Sequence, residues 1–352
     1  MKILVFALSG IGDALMFTPA LSKLKSIYPE ARIDAMVMFN GNKELYKNLP
    51  QIHKVIFINF LKQNPLKSFW QVIRLRGKYD ISINIYPSNR KEYNIISFLV
   101  GAKKRAAIKY LRVDKKEFGF LNNIRINEDD KLHNVTENLN IVAKLAGTNI
   151  SETPSLKFPL TKKELEFAEK YLEDISIGGN DLVIGFHAGC ATLKNHINRR
   201  WAPDKFADLA KSLIEINNAK ILLFGGPDEI ELNNTISQLV NLENLKIVKT
   251  NTLPESVSLM KRCNVFVTND SALMHIASAL KLKVVAIIGP TNTNYIAPWQ
   301  TEHKIVSLNL DCAPCFYYSP KPLTCTRKDV KYKCVKEIQV QQVYEAVTSF
   351  LN

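Results

Sequence analysis

The sequence holds no apolar run long enough to cross a bilayer, no internal repeat and no low-complexity tract. Integral membrane proteins, solenoids and fibrous chains are set aside by those three absences. With 46% hydrophobic and 23% charged residues the chain reads as an ordinary globular protein. Its amino-terminal run, Met1 to Leu8, is too short for a signal-peptide core and passes straight into Ser9-Gly10-Ile11-Gly12-Asp13. A buried first strand and a cytoplasmic protein are therefore expected. Acidic residues are scarce, 33 Asp and Glu against 47 Lys and Arg, for a net charge of +14. An anionic partner is expected. Helix-turn-helix, zinc-finger and aromatic RNA-reading patterns are all missing, so nucleic acid is not that partner. A negatively charged membrane surface or a phosphorylated lipid fits without any such motif. The charge is dense at Lys103-Lys104-Arg105, Lys109, Arg112 and Lys115-Lys116, and again from Lys321 to Lys336. A plain solvated surface accounts for these runs equally well.

At 352 residues the chain is long for a single core, and two domains are expected. Short buried strands at Ile3 to Leu8, Arg32 to Met38, Val55 to Phe60 and Ile81 to Ile85 alternate with amphipathic stretches at Ala14 to Ile27 and Ser68 to Lys78. A charged helix, Thr161 to Asp174, is followed by Gly178-Gly179-Asn180. A second series then runs through Leu182 to Phe186, Ile221 to Phe224, Lys246 to Lys249, Val265 to Val267 and Val284 to Ile288. Near-continuous apolar strands between helices predict parallel sheets covered on both faces. The expected architecture is α/β: two Rossmann-like, doubly wound domains, 1–177 and 178–352, facing a cleft.

A dinucleotide fingerprint is missing too. Ser9-Gly10-Ile11-Gly12-Asp13 follows the first strand, but the third glycine position is Leu15, and the second strand lacks a terminal acid. What remains are Gly10 and Gly12, which let backbone approach a ligand, and Asp13 at the helix start, where a carboxylate is held ionised and can accept a proton. A plain helix cap is the competing role for Asp13. In the second half each strand ends in small residues: His187-Ala188-Gly189-Cys190, Gly225-Gly226-Pro227-Asp228-Glu229, Asn269-Asp270-Ser271-Ala272 and Gly289-Pro290-Thr291. Arg199-Arg200-Trp201 adds two guanidinium groups, and His275 lies about one turn into the helix that Asp270 or Ser271 caps. Amides, arginines and a carboxylate on one sheet edge suit a nucleoside diphosphate carrying a polar sugar.

These motifs, with Thr18-Pro19-Ala20-Leu21 and Asp270-Ser271-Ala272-Leu273-Met274-His275, stand in the order found in glycosyltransferase family 9, which the chain resembles over almost its full length. The resemblance implies a GT-B fold with acceptor bound by the first domain and nucleotide sugar by the second. It implies an inverting, metal-independent transfer, most simply of heptose from ADP-heptose to a lipopolysaccharide core, with no cofactor required. Asp13 matches the family's general base. His187, Gly189, Arg199, Glu229, Asp270, Ser271, Ala272 and His275 fall at donor-binding positions, with Arg199 where Lys is usual and Ala272 where Gly is usual. Gly10, Gly12, Lys103, Lys104, Arg105 and Lys109 would serve the acceptor. A cytoplasmic enzyme, peripheral at the inner membrane, follows. Another nucleotide sugar, another glycan acceptor, or a non-catalytic binding protein on the same fold are the alternatives.

Six cysteines are few, yet four crowd one segment as C-x2-C-x9-C-x8-C: Cys312, Cys315, Cys325 and Cys334. In a cytoplasmic protein such a set reads as reduced loop cysteines or as a closed, structural zinc site.

Overall fold

The computed structural model of the chain describes residues 1–88, 90–317 and 322–351. The chain folds as two compact units that divide between Pro159 and Leu160. The first is built on six parallel strands, β1 (Lys2–Ala7), β2 (Arg32–Val37), β3 (Ile52–Phe57), β4 (Ile81–Asn84), β5 (Lys104–Lys109) and β6 (Ile124–Asn127). Their order is β3-β2-β1-β4-β5-β6, with Ile3 level with Ile33 on one side and Ile81 on the other. All but the first residue of β1 and β2 are buried, as expected for strands covered on both faces.

The second unit repeats the plan with β7 (Val183–His187), β8 (Lys220–Leu223), β9 (Leu245–Ile247), β10 (Val265–Asn269), β11 (Lys283–Ile287) and β12 (His303–Val306), ordered β12-β11-β10-β7-β8-β9. Trp201 is fully buried in its core and donates from Nε1 to the Ile338 carbonyl at 3.0 Å. That bond ties down the chain ahead of the final helix, Val340–Thr348, which packs on the helix Pro203–Asn217 and on β11 and β12. In each sheet the strand order reverses once, between β1 and β4 and between β7 and β10. Loops leaving the carboxyl ends of such a pair diverge to opposite faces, which opens a crevice for ligands.

Three differences from the sequence reading have local causes. The helix expected over Ala14 to Ile27 is two helices, Ile11–Met16 and Thr18–Ile27. Pro19 has no amide to continue the ladder, and the Thr18 hydroxyl bonds the Leu15 carbonyl at 2.7 Å instead. The unit division precedes Gly178 because the charged helix Lys162–Asp174 packs on Leu253–Met260 of the second unit. The basic run from Lys103 conceals β5, whose Ala106, Ala107 and Ile108 are buried. Among the described residues no helix is long and apolar enough to cross a membrane.

Candidate active site

In the first unit the chemistry gathers at the carboxyl edge, after β1, β4, β5 and β6. The β1 turn is pinned by Asn42, whose amide donates to the carbonyls of Ala7 at 3.0 Å and Ser9 at 2.8 Å. Asp13 is half-buried at the third position of the helix Ile11–Met16 and accepts from the Gly10 amide at 3.1 Å. It thus caps the helix. A carboxylate has lone pairs enough for that bond and for a reacting hydroxyl as well.

Around that edge lies a polar platform. Tyr86 and Tyr110 stack with centroids 5.6 Å apart, the Tyr86 hydroxyl donates to Glu128 at 2.7 Å, and the Ser88 amide donates to the Tyr110 hydroxyl. The Glu137 carboxyl is pushed up to about 7, first by burial and then by Glu128, Asp129 and Asp130, against the pull of the Asp129 amide. The buried hydroxyl oxygens of Ser9 and Ser88 have no hydrogen-bond partner among the described residues. Unpaired buried hydroxyls are costly, and a polyhydroxyl ligand would satisfy them.

The basic residues divide. Lys109 is exposed at the carboxyl end of β5, on the Asp13 edge. Lys104 pairs with Ile81, which pairs with Ile3, so Lys103 and Lys104 lie at the opposite, amino edge. Arg105 is structural: its guanidinium donates to the Leu121 and Ala102 carbonyls at 2.9 and 2.8 Å and covers the Phe98 ring. The structure does not bring these three to Asp13.

In the second unit the predicted residues converge. Arg199 donates to Asp270 at 2.6 Å, with both side chains nearly buried. The Asn269 amide holds the Ala188 carbonyl at 2.7 Å while its oxygen accepts from the Trp201 amide at 3.0 Å, so β10 positions both neighbouring loops. His187 is buried and shares hydrogen bonds with Ser271 at 2.9 Å and Glu229 at 3.1 Å. With both ring nitrogens engaged, it orients those two side chains. Burial alone would raise the Glu229 carboxyl, but His187, the Gly226 amide and Arg200 outweigh it and hold it below the usual range.

Gly189 leaves room for that carboxylate, since a Cβ there would stand 1.5 Å from Glu229 Oε1. Ser271 is the N-cap of the helix Ala272–Ala279, but its hydroxyl faces His187 and Thr268 and makes no cap hydrogen bond to the helix. Its leading amides are available to an anion. His275 is buried in that helix, its ring pushed down to about 4 by burial against the opposing charge of Asp270, and its Nδ1 has no hydrogen-bond partner among the described residues.

Four further residues complete the cluster: Thr291 and Arg200 from motifs already read in the sequence, and His196 and Phe316, which the sequence did not single out. Thr291 donates to Asp270 at 2.6 Å, and its place after β11 in Gly289-Pro290-Thr291 was the available signal. Arg200 bonds the Cys190 carbonyl at 3.0 Å and reaches Glu229 at 3.5 Å. His196, pushed down to about 4 by burial and then by Arg199, lies 3.3 Å from that guanidinium. Phe316 covers Arg199 at 5.7 Å and His196 at 5.1 Å.

Phe316 also locates the cysteine-rich segment. Its amide and that of Cys315 donate to the Pro290 carbonyl at 2.9 and 3.0 Å, so the cysteine-rich segment is part of the Arg199 surroundings. The four thiols are free, and those of Cys315 and Cys334 are pushed up first by burial and then by the neighbouring cysteines. Cys312 accepts from Arg327, Cys325 from the Tyr332 amide, and Cys334 lies over Gly289. Among the described residues no three His, Cys, Asp or Glu side chains are grouped to hold a metal ion, so the zinc reading finds no assembled site.

Two Rossmann-like units with polar loops at the carboxyl edges of their sheets make up the GT-B fold. The chain belongs to glycosyltransferase family 9 (heptosyltransferase), whose model matches residues 68–324. It is 26% identical over 363 residues to lipooligosaccharide heptosyltransferase 2 of Campylobacter jejuni serotype O:2, covering 100% of this chain and 99% of that protein. To the Haemophilus influenzae enzyme of the same name it is 30% identical over 327 residues, 88% of this chain and 89% of that one. The solved structure of Escherichia coli ADP-heptose lps heptosyltransferase II has the same fold, with a TM-score of 0.76 at 22% identity over 100% of this chain and 98% of that one.

Proposed function

We propose that this enzyme moves a heptosyl group from ADP-heptose to the core of lipopolysaccharide at the inner face of the cytoplasmic membrane. The donor is held by the second unit. Arg199, oriented by Asp270, and the open amides of the helix Ala272–Ala279 take the diphosphate; Glu229 takes the ribose. Asp13 accepts the proton of the acceptor hydroxyl as that oxygen attacks the anomeric carbon from the face opposite the leaving ADP, so configuration inverts. Charge growing on the diphosphate is met by guanidinium and backbone dipoles already in place, and no metal ion is needed for that role.

The observation that carries the reading is the Arg199–Asp270–Thr291 cluster in the same unit as a helix start without a side-chain cap, an arrangement suited to an anion, in a chain of this family. The names of the relatives supply the heptose and the lipopolysaccharide core. The test incubates the purified protein with ADP-heptose and a delipidated inner-core acceptor in the presence of EDTA. One added heptose by mass spectrometry is expected, with an α linkage from a β donor. Transfer only from UDP- or GDP-sugars, or only with added divalent metal, would overturn it.

A further inference from the structure

The helix Pro65–Ile73 follows β3 in the first unit and is turned the wrong way round for a crossover helix. Only Ser68 and Val72 are buried. Leu66, Phe69 and Trp70 are 71%, 46% and 59% exposed, and Leu61 just ahead of them is 61% exposed. Positions 66, 69, 70 and 73 are spaced as one helical stripe, so the apolar face looks into solvent. Phe69 and Trp70 pack edge to face, 5.8 Å apart, and keep that face broad. The helix starts at Asn64, whose side chain caps Leu66 and Lys67, directly after the carboxyl end of β3. Leu61 and Leu66 therefore sit at the sheet edge that carries Asp13.

Charge names the partner. From residue 60 to residue 79 there is no Asp or Glu, while Lys62, Lys67, Arg74, Arg76 and Lys78 are all exposed. A solvent-facing stripe of Leu, Phe, Trp and Ile in a segment whose charged residues are all cations is the pattern of a helix lying in the headgroup layer of an acidic bilayer. Long cationic side chains reach back to lipid phosphates while the rings enter the acyl boundary.

We propose that the helix Pro65–Ile73, with Leu61 and Lys62, docks the first unit on an anionic lipid bilayer and so presents the Asp13 edge to a membrane-borne acceptor. This rests on the acceptor being a lipid-anchored glycan.

The test uses the full chain with vesicles of phosphatidylethanolamine and phosphatidylglycerol, and with phosphatidylcholine vesicles as control. Flotation and tryptophan emission are read together. Wild type should float with the acidic vesicles only, and emission should shift to the blue because Trp70 is exposed whereas Trp201 is already buried. Leu66→Ser with Trp70→Ser, and separately Lys67→Glu with Arg74→Glu, should each lower vesicle partition about tenfold or more. Both pairs should keep wild-type turnover on a delipidated, water-soluble core acceptor. Wild type that stays off acidic vesicles overturns the proposal, as do variants that float like wild type. Loss of turnover on the soluble acceptor also overturns it, by placing the helix in acceptor binding. Wild type that floats but transfers nothing upholds the docking helix and overturns the transfer reading alone.

Discussion

Arg199 and Thr291 donate to the same oxygen of Asp270, Oδ2, each at 2.6 Å. One buried carboxylate thereby fixes the direction of the guanidinium assigned to the donor diphosphate. Arg199→Ala should weaken ADP binding by about 1.5–3 kcal/mol, read by titration calorimetry. Asp270→Ala should cost about 3–5 kcal/mol of unfolding free energy in urea, because a buried cation loses its partner. Unchanged ADP affinity in the first variant would remove Arg199 from the donor site.

Asp13 caps its own helix and, in the proposed mechanism, also takes the acceptor proton. Asp13→Asn keeps the shape and the Gly10 contact while removing basicity. Turnover should drop by about 10²–10⁴ with donor affinity unaltered. Near wild-type turnover at saturating acceptor would leave Asp13 as a cap and nothing more.

Gly189 and Glu229 occupy adjoining space, and the carboxylate is held by His187, Arg200 and the Gly226 amide. Gly189→Ala should expel it and lower affinity for ADP-ribose compounds by about tenfold, while inorganic pyrophosphate binding stays constant. Equal losses for both ligands would place Glu229 away from the ribose.

His275 and His196 are held neutral, each pushed down to about 4. In the unfolded chain a histidine titrates near ~6.5. Their stability contribution is therefore complete above about 6.5 and is lost as pH falls toward about 4. For the fully buried His275 the loss is about 3 kcal/mol, and His275→Gln should flatten the acid limb of the urea midpoint by that amount. Glu137 acts in the other direction: its folded value of about 7 makes stability fall as pH rises from about 4.5 to 7, and Glu137→Gln should remove that fall. An acid limb identical in His275→Gln and wild type would show His275 to be charged in the fold.

Lys109 shares an edge with Asp13, whereas Lys103 and Lys104 do not. Lys109→Glu should raise the acceptor KM, and the paired change Lys103→Glu with Lys104→Glu should leave it within about twofold at physiological salt, where screening acts within about 8 Å. A larger rise in the paired variant would bring those lysines into acceptor binding.

Much of this was legible because strand ends and caps are local. Asn269-Asp270-Ser271, His187-Ala188-Gly189 and Gly10-Ile11-Gly12-Asp13 each sit where apolar alternation stops, and topology then gathers them on one edge of each sheet. What escaped the sequence is what depends on register or on distant packing. Lys104 and Lys109 look alike in a charge count and lie at opposite ends of one strand. Phe316 gave no sign of meeting Arg199, because the Pro290 carbonyl that fixes it lies in another loop. Trp70 passed as part of an ordinary amphipathic stretch, since periodicity reports that a helix has an apolar face and is silent on which way that face turns.

Both sheets share one strand order, and both put their chemistry beside the single reversal in it. The location is therefore set by the path of the backbone, and the loops supply what differs: the Asp13 carboxylate in one half, and Arg199, Asp270 and Glu229 in the other. Selectivity for the sugar and selectivity for the receiving glycan are in consequence separable traits. A chimera that exchanges the turns after β7, β8, β10 and β11 should acquire a new donor while keeping its old acceptor, because none of those segments contributes to the scaffold that both halves have in common.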